Sequence, residues 1–160
     1  MTTLYIETTI PSYLVARPSR DIIVLAHQQL TKEWWDDYRH LYEMFISQIV
    51  LDEIKQGDPE MANKRIEILQ GIPMLETSDE VESLAEKYFN SLQFPAKALR
   101  DAFHLAYTVV YEIDFLATWN CTHLANANLL LRLYKLNREW GYETSIICTP
   151  EELMEYPKEG

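Results

Sequence analysis

The sequence predicts an α/β protein built on a mostly parallel sheet of about five strands, covered on both faces by helices. Short apolar runs alternate with longer amphipathic stretches along the whole chain, and strands joined by helical crossovers pair in parallel. No Ser/Gly linker, repeat or low-complexity segment divides the 160 residues, a length that suits one domain with a single sizeable core.

Taken in order, "TLYI" (3–6) reads as a short buried strand. "IPSYLVA" (10–16) is a short helix, stopped near Pro18. Residues 20–40 form a long helix, with Ile23, Ala26, Leu30, Trp34 and Tyr38 at helical spacing on one face. "YEMFIS" (42–47) is a second strand. Ser47 is placed to N-cap "QIVLDEIKQ" (48–56), which Gly57 ends. A helix over about 59–70 leads to a strand at "IPMLE" (72–76), and Ser78 caps the helix that follows. Residues 96–113 are strongly helical. Asp114 turns the chain into a fourth strand, "FLAT" (115–118). The next helix is predicted from Cys121 to Gly141, with Leu129, Leu133, Leu136 and Trp140 as its stripe and Leu124, Leu130 and Tyr134 broadening it. "TSIIC" (144–148) is the last strand, and Pro150 opens a short closing helix.

Composition narrows the function classes. Apolar residues make up 48% of the chain, which excludes disorder, and no apolar stretch approaches the roughly 20 residues of a membrane-spanning helix. The opening residues lack the basic and long apolar regions of a signal peptide. Cys121 and Cys148 have no metal-binding spacing and read as free thiols of a reducing cytoplasm. The net charge of −11 argues against tight, nonspecific nucleic-acid binding but leaves room for an enzyme that touches nucleic acid briefly. Neither GxGxxG nor GxxxxGK[ST] occurs, against dinucleotide and P-loop nucleotide binding.

In open parallel sheets ligands sit beyond the carboxyl ends of the strands. Glu7 and Asn120 follow predicted strands directly, while Glu53 and Asp101 lie on helices that can lean over the same edge. Gathering Glu7, Glu53 and Asp101 places three negative charges together, for which Mg²⁺ or Mn²⁺ is the natural compensation. Thr8 or Thr9 then suits a metal-bound water or a substrate phosphate, and Asn120 adds a hydrogen bond without charge. The chemistry that fits is metal-assisted phosphodiester hydrolysis, which needs no covalent nucleophile.

At these positions "LYIETTIPSYL", "ISQIVLDEI", "LRDAFHLA" and "FLATWNCTHLAN" resemble the successive signature segments of PIN-domain nucleases, nearest the VapC-type toxin–antitoxin ribonucleases. The resemblance spans nearly the whole chain. It implies a three-layer α/β/α sandwich, Mg²⁺- or Mn²⁺-dependent endoribonuclease activity, homodimers and inhibition by a small antitoxin protein. Carried over by position, Glu7, Glu53 and Asp101 are the metal-binding acids and Asn120 the fourth catalytic residue. Thr9 falls at the family's substrate-side hydroxyl. Two departures stand out: Glu7 replaces the usual Asp and reaches one methylene further, and Asn120 removes a charge from a site that is often acidic.

Blander readings accompany each residue. Glu7 alone suits a helix N-terminus, Asp101 a helix dipole and Asn120 a cap. If Glu53 faces the edge, its neighbour Asp52 faces solvent. His104, three residues after Asp101, allows a metal-site role but reads rather as a packed or half-buried histidine, and His123 as a local hydrogen-bonding one; both stay outside the catalytic set. Trp34 belongs to the core stripe and Trp35 to a dimer or edge contact. Arg17, Arg20, Lys97 and Arg100 form a solvated rim with candidate phosphate contacts. Two rival functions remain: a PIN-like module with weak or no catalysis that binds a protein partner or RNA, and a phosphoacceptor receiver domain. "TSIICTP" lacks the lysine that a receiver needs after its last strand, so that reading ranks last.

Overall fold

The computed structural model describes residues 1–154. Its elements run β1 (Thr2–Ile6), α1 (Thr9–Val15), α2 (Ile22–Asp37), β2 (Tyr42–Ser47), α3 (Gln48–Ile54), α4 (Pro59–Leu69), β3 (Met74–Leu75), α5 (Asp79–Ser91), α6 (Leu99–Val110), β4 (Phe115–Ala117), α7 (Ala127–Trp140) and β5 (Ile146–Cys148). Short 3-10 turns precede β2 and α6 and close the described chain at Pro150–Leu153.

The five strands form one sheet in the order β3-β2-β1-β4-β5, and every pair is parallel. The α/β expectation holds, as a three-layer α/β/α sandwich. Right-handed crossovers place α1 to α4, which carry the chain outward from β1 to β3, on one face. The return through α5, α6 and α7 covers the other. β1 is central, so Leu4, Tyr5 and Ile6 are fully buried on both of its faces. At the amino ends, Thr3 and Asp114 exchange backbone-to-side-chain hydrogen bonds, each 2.9 Å, which fixes β1 against the start of β4.

Local chemistry sets most boundaries as expected. Ser78 accepts from the Val81 amide to start α5, and Gly141 ends α7 in the left-handed region at φ +83°. Both cysteines are free, Cys121 exposed and Cys148 buried. Among the described residues no helix is long and apolar enough to cross a membrane.

Four expectations are corrected. The packed face of α2 is rotated from the apolar stripe: Ile23 is 65% exposed and Ala26 is also exposed, while Thr31 and Trp34 are buried. The cause is Trp119, whose indole stacks on His27 at 4.1 Å and donates to Thr31 Oγ1 at 2.6 Å. α7 begins at Ala127, not Cys121, because the Asn126 side chain accepts from the Asn128 and Leu129 amides and starts the helix there. Tyr134 lies off its stripe, exposed, whereas Asn137 is buried with the Tyr88 hydroxyl as its partner. Ser47 occupies the N-cap position of α3 but makes no side-chain cap; fully buried, its hydroxyl pairs with the Tyr5 phenol at 2.7 Å instead.

Candidate functional site

Strand order changes direction between β1 and β4, and in open α/β sheets the crevice at such a switch point is where ligands sit. Glu7 is the first residue beyond β1. Its amide donates to the Ala117 carbonyl of β4 at 3.2 Å, so the ladder carries the Glu7 carboxylate to that crevice. Thr118, Trp119 and Asn120 leave β4 beside it. Glu53 arrives from α3 and Asp101 from the first turn of α6.

Glu7 is only 3% exposed. All its donors converge on Oε1: the Thr9 amide at 3.0 Å, the Thr9 hydroxyl, and the Thr118 hydroxyl at 2.7 Å. Burial pushes its carboxyl above the ordinary value, against the opposing pull of His104 and these donors. The Thr9 hydroxyl also accepts from the Trp119 amide at 2.8 Å, which ties α1 to the β4 exit. Thr118 Oγ1 in turn accepts from the Asn120 amide.

Glu53 Oε1 accepts from Thr8 Oγ1 at 2.9 Å and lies 2.6 Å from His104 Nε2. Burial works against its ionisation, but the bond and charge of His104, helped by Thr8 and Arg100, hold its carboxyl below the ordinary value. Its neighbour Asp52 is exposed and bonds Gln48, as the helical geometry requires.

Asp101 is 9% exposed. Burial and the Glu53 charge raise its carboxyl, against His104, His123 and a side-chain hydrogen bond from Asn120. His123 Nδ1 stands 3.4 Å from Asp101 Oδ2. Asn120 caps the turn that follows it, its Oδ1 accepting from the Thr122 and His123 amides.

The predicted residues are thus gathered around an imidazole. Glu7, Glu53 and Asp101 all act electrostatically on His104, which is fully buried. Burial disfavours its charge, yet Glu53 first, then Glu7 and Asp101, raise its pKa above the ordinary value. The sequence left a metal-site role for His104 open but ranked it below packing. The available signal was spacing: His104 sits three residues after Asp101, on the same face of α6, inside the otherwise apolar "AFHLA".

The donor set fits a hard divalent cation. The hydrogen bonds to Glu7 and Glu53 fall on Oε1, and Oε2 of each takes part in none of them. Burial raises the carboxyls of Glu7 and Asp101, so a bound cation would have to offset the cost of ionising them. Among the described residues no three His, Cys, Asp or Glu side chains are arranged to hold a metal ion. Mg²⁺ does not require such a cage, since it keeps several waters and binds through one or two carboxylates plus substrate phosphate. A surface cleft of about 600 Å³ is bounded by Tyr134, Arg138 and Tyr142, and none of these acids lines it.

Stability of the metal-free protein carries these shifts. Glu7 and Asp101 bind protons more tightly folded than unfolded, so stability falls as pH rises through the window above their ordinary values of 4.5 and 3.8. Glu53 has the opposite sign: its contribution is present above 4.5 and is lost as pH falls through its lower folded value. His104 stabilises fully below 6.5, and that contribution is lost as pH rises through its raised folded value. In EDTA, the unfolding temperature is expected to decline from the carboxylate range to beyond the imidazole range. Added Mn²⁺ should restore it mainly at the upper end. Differential scanning fluorimetry across pH, with and without Mn²⁺, checks both slopes.

No protein-family model matches the chain, and no curated protein matches it.

Proposed function

We propose that the chain is a divalent-metal-dependent endoribonuclease of the PIN type, the toxin of a toxin–antitoxin pair. One observation carries the reading: acids from the β1 end, α3 and α6 meet with Asn120 at the switch point of a parallel sheet. In this reading Glu7, Glu53 and Asp101 hold Mg²⁺ or Mn²⁺ directly or through its waters. The bound cation supplies a polarised phosphoryl oxygen and a water of lowered pKa.

The remaining work falls to the chain. Thr9 and Thr118 fix the rotamer of Glu7, and Thr8 and His104 fix that of Glu53. Asn120 stands beside this group, its Oδ1 capping the Thr122 and His123 amides. The open edge suits a polymer that lies across it rather than a small molecule enclosed in it. Arg17, Arg20, Lys97 and Arg100 supply rim cations for its phosphates. With a net charge of −11, the protein gains little affinity from counterion release, so binding depends on the local rim and the metal. A homodimer and a small inhibitory antitoxin belong to the same proposal.

The test is cleavage of total RNA by the purified protein. Cutting is expected with Mg²⁺ or Mn²⁺, none in EDTA, and recovery when metal is returned. Cleavage that persists in excess EDTA rejects the mechanism.

A second reading is a PIN-like module that binds RNA or a protein partner without efficient catalysis. It is favoured by how fully protein donors occupy Oε1 of Glu7 and Glu53, and by the lack of a ready three-ligand group among the described residues. Metal binding without any RNA cleavage would select it.

A further inference from the structure

Behind Glu53 the site contains a buried chain of side chains that runs from Ser47 through Tyr5 to His104. Ser47 Oγ lies 2.7 Å from the Tyr5 phenol, which lies 2.7 Å from His104 Nδ1, and His104 Nε2 lies 2.6 Å from Glu53 Oε1. Ser47, Tyr5 and His104 are each fully buried. The Tyr5 and His104 rings also meet edge-on, 5.6 Å apart. The four residues come from β2, β1, α6 and α3 respectively.

We infer that His104 is a positioning residue that sets the Glu53 carboxylate for metal binding, held in place by Tyr5 and Ser47. This rests on the metal-site reading above. Two periodicities put the imidazole where it is needed. Tyr5 and Glu7 alternate by two along the chain leaving β1 and so lie on one face of the sheet. Asp101 and His104 are three apart on α6 and so share a helix face. A ring bonded to Tyr5 therefore lies among all three acids.

His104 is not itself a ligand or a proton donor to substrate. Both ring nitrogens are engaged, one with Tyr5 and one with Glu53, and none of the ring is exposed. What it does is restrain Glu53. That side chain is long, stems from a seven-residue helix and is 21% exposed, so without His104 it has solvent-directed rotamers to occupy. With Oε1 held by His104 and Thr8, Oε2 is the oxygen left for the cation. Outer-sphere partners of this kind change metal affinity by about 10- to 100-fold when removed.

The experiment is a Mn²⁺ titration of the full chain, with free Mn²⁺ read by electron paramagnetic resonance. The proteins compared are wild type, His104→Leu, His104→Gln, Tyr5→Phe, Glu53→Gln and the Glu53→Gln/His104→Leu double variant. His104→Leu is expected to weaken Mn²⁺ binding by about 10- to 100-fold. His104→Gln keeps a donor toward Glu53 and recovers most of the loss. The double variant binds no more weakly than Glu53→Gln alone, because His104 acts through Glu53. Equal affinity for wild type and His104→Leu overturns the inference, as does additivity in the double variant. Should His104→Leu fail to fold, Tyr5→Phe decides: weakened binding supports the restraint, and unchanged binding overturns it. If wild type itself binds no Mn²⁺, the metal reading falls and takes the inference with it, a result distinct from loss in the variants alone.

Discussion

Asp101→Asn should lower metal-dependent RNA cleavage by about a thousand-fold, the equivalent of roughly 4 kcal/mol of transition-state stabilisation. The substitution keeps the shape of the side chain and removes the charge. Stability should survive it. Burial and the Glu53 charge already hold the Asp101 carboxyl above its ordinary value, so the folded metal-free protein gains nothing from ionising it. The unfolding temperature in EDTA is therefore expected to stay level or rise slightly at neutral pH, while the increment that Mn²⁺ gives the wild type disappears. Cleavage rates at saturating Mn²⁺, set beside melting curves with and without metal, separate these effects. A variant that cuts at the wild-type rate would remove Asp101 from the metal site.

Trp34→Ala should be the most damaging single truncation in the core, at about 3–5 kcal/mol. Trp34 is fully buried on α2 and packs its ring against Trp35 and Tyr42, at centroid distances of 6.2 and 6.1 Å. For a chain of this size that loss corresponds to a fall in melting temperature of roughly 6–20 °C. Its indole Nε1 is also a buried donor with no hydrogen-bond partner among the described residues. Trp34→Phe deletes that donor along with part of the ring. The relief of an unpaired polar group, about 1–3 kcal/mol, opposes the cavity, so Phe should cost far less than Ala. Equal losses for the two variants in urea titrations would mean that the indole nitrogen carries no penalty.

The sheet was legible because short, mostly apolar runs mark its strands, most clearly β1, which is buried on both faces; β1 and β2 fall within a residue of where the sequence puts them. Periodicity failed where polar side chains do the packing. On α2, His27 and Thr31 serve the Trp119 indole, and a search for apolar residues every third or fourth position follows Ile23 and Ala26 to the solvent side instead. In residues 120–126 two asparagines each satisfy backbone amides, and competition between the two caps delays the helix in a way spacing cannot reveal. The acids were visible because residues beyond strand ends share one edge of a parallel sheet. His104 was not, since a lone histidine on an apolar helix face looks like packing until a phenol and a carboxylate are found on either side of it.

That arrangement constrains how the protein can drift over evolutionary time. The Tyr5 phenol bridges Ser47 and His104 in the core, so losing Tyr5 takes a partner from both of the others. Stepwise replacement passes through an intermediate with a dry, lonely polar atom. Divergent copies of this chain should therefore change the trio in concert, as Ala, Phe and an aliphatic residue together, and those that do so should have surrendered Glu53 as well.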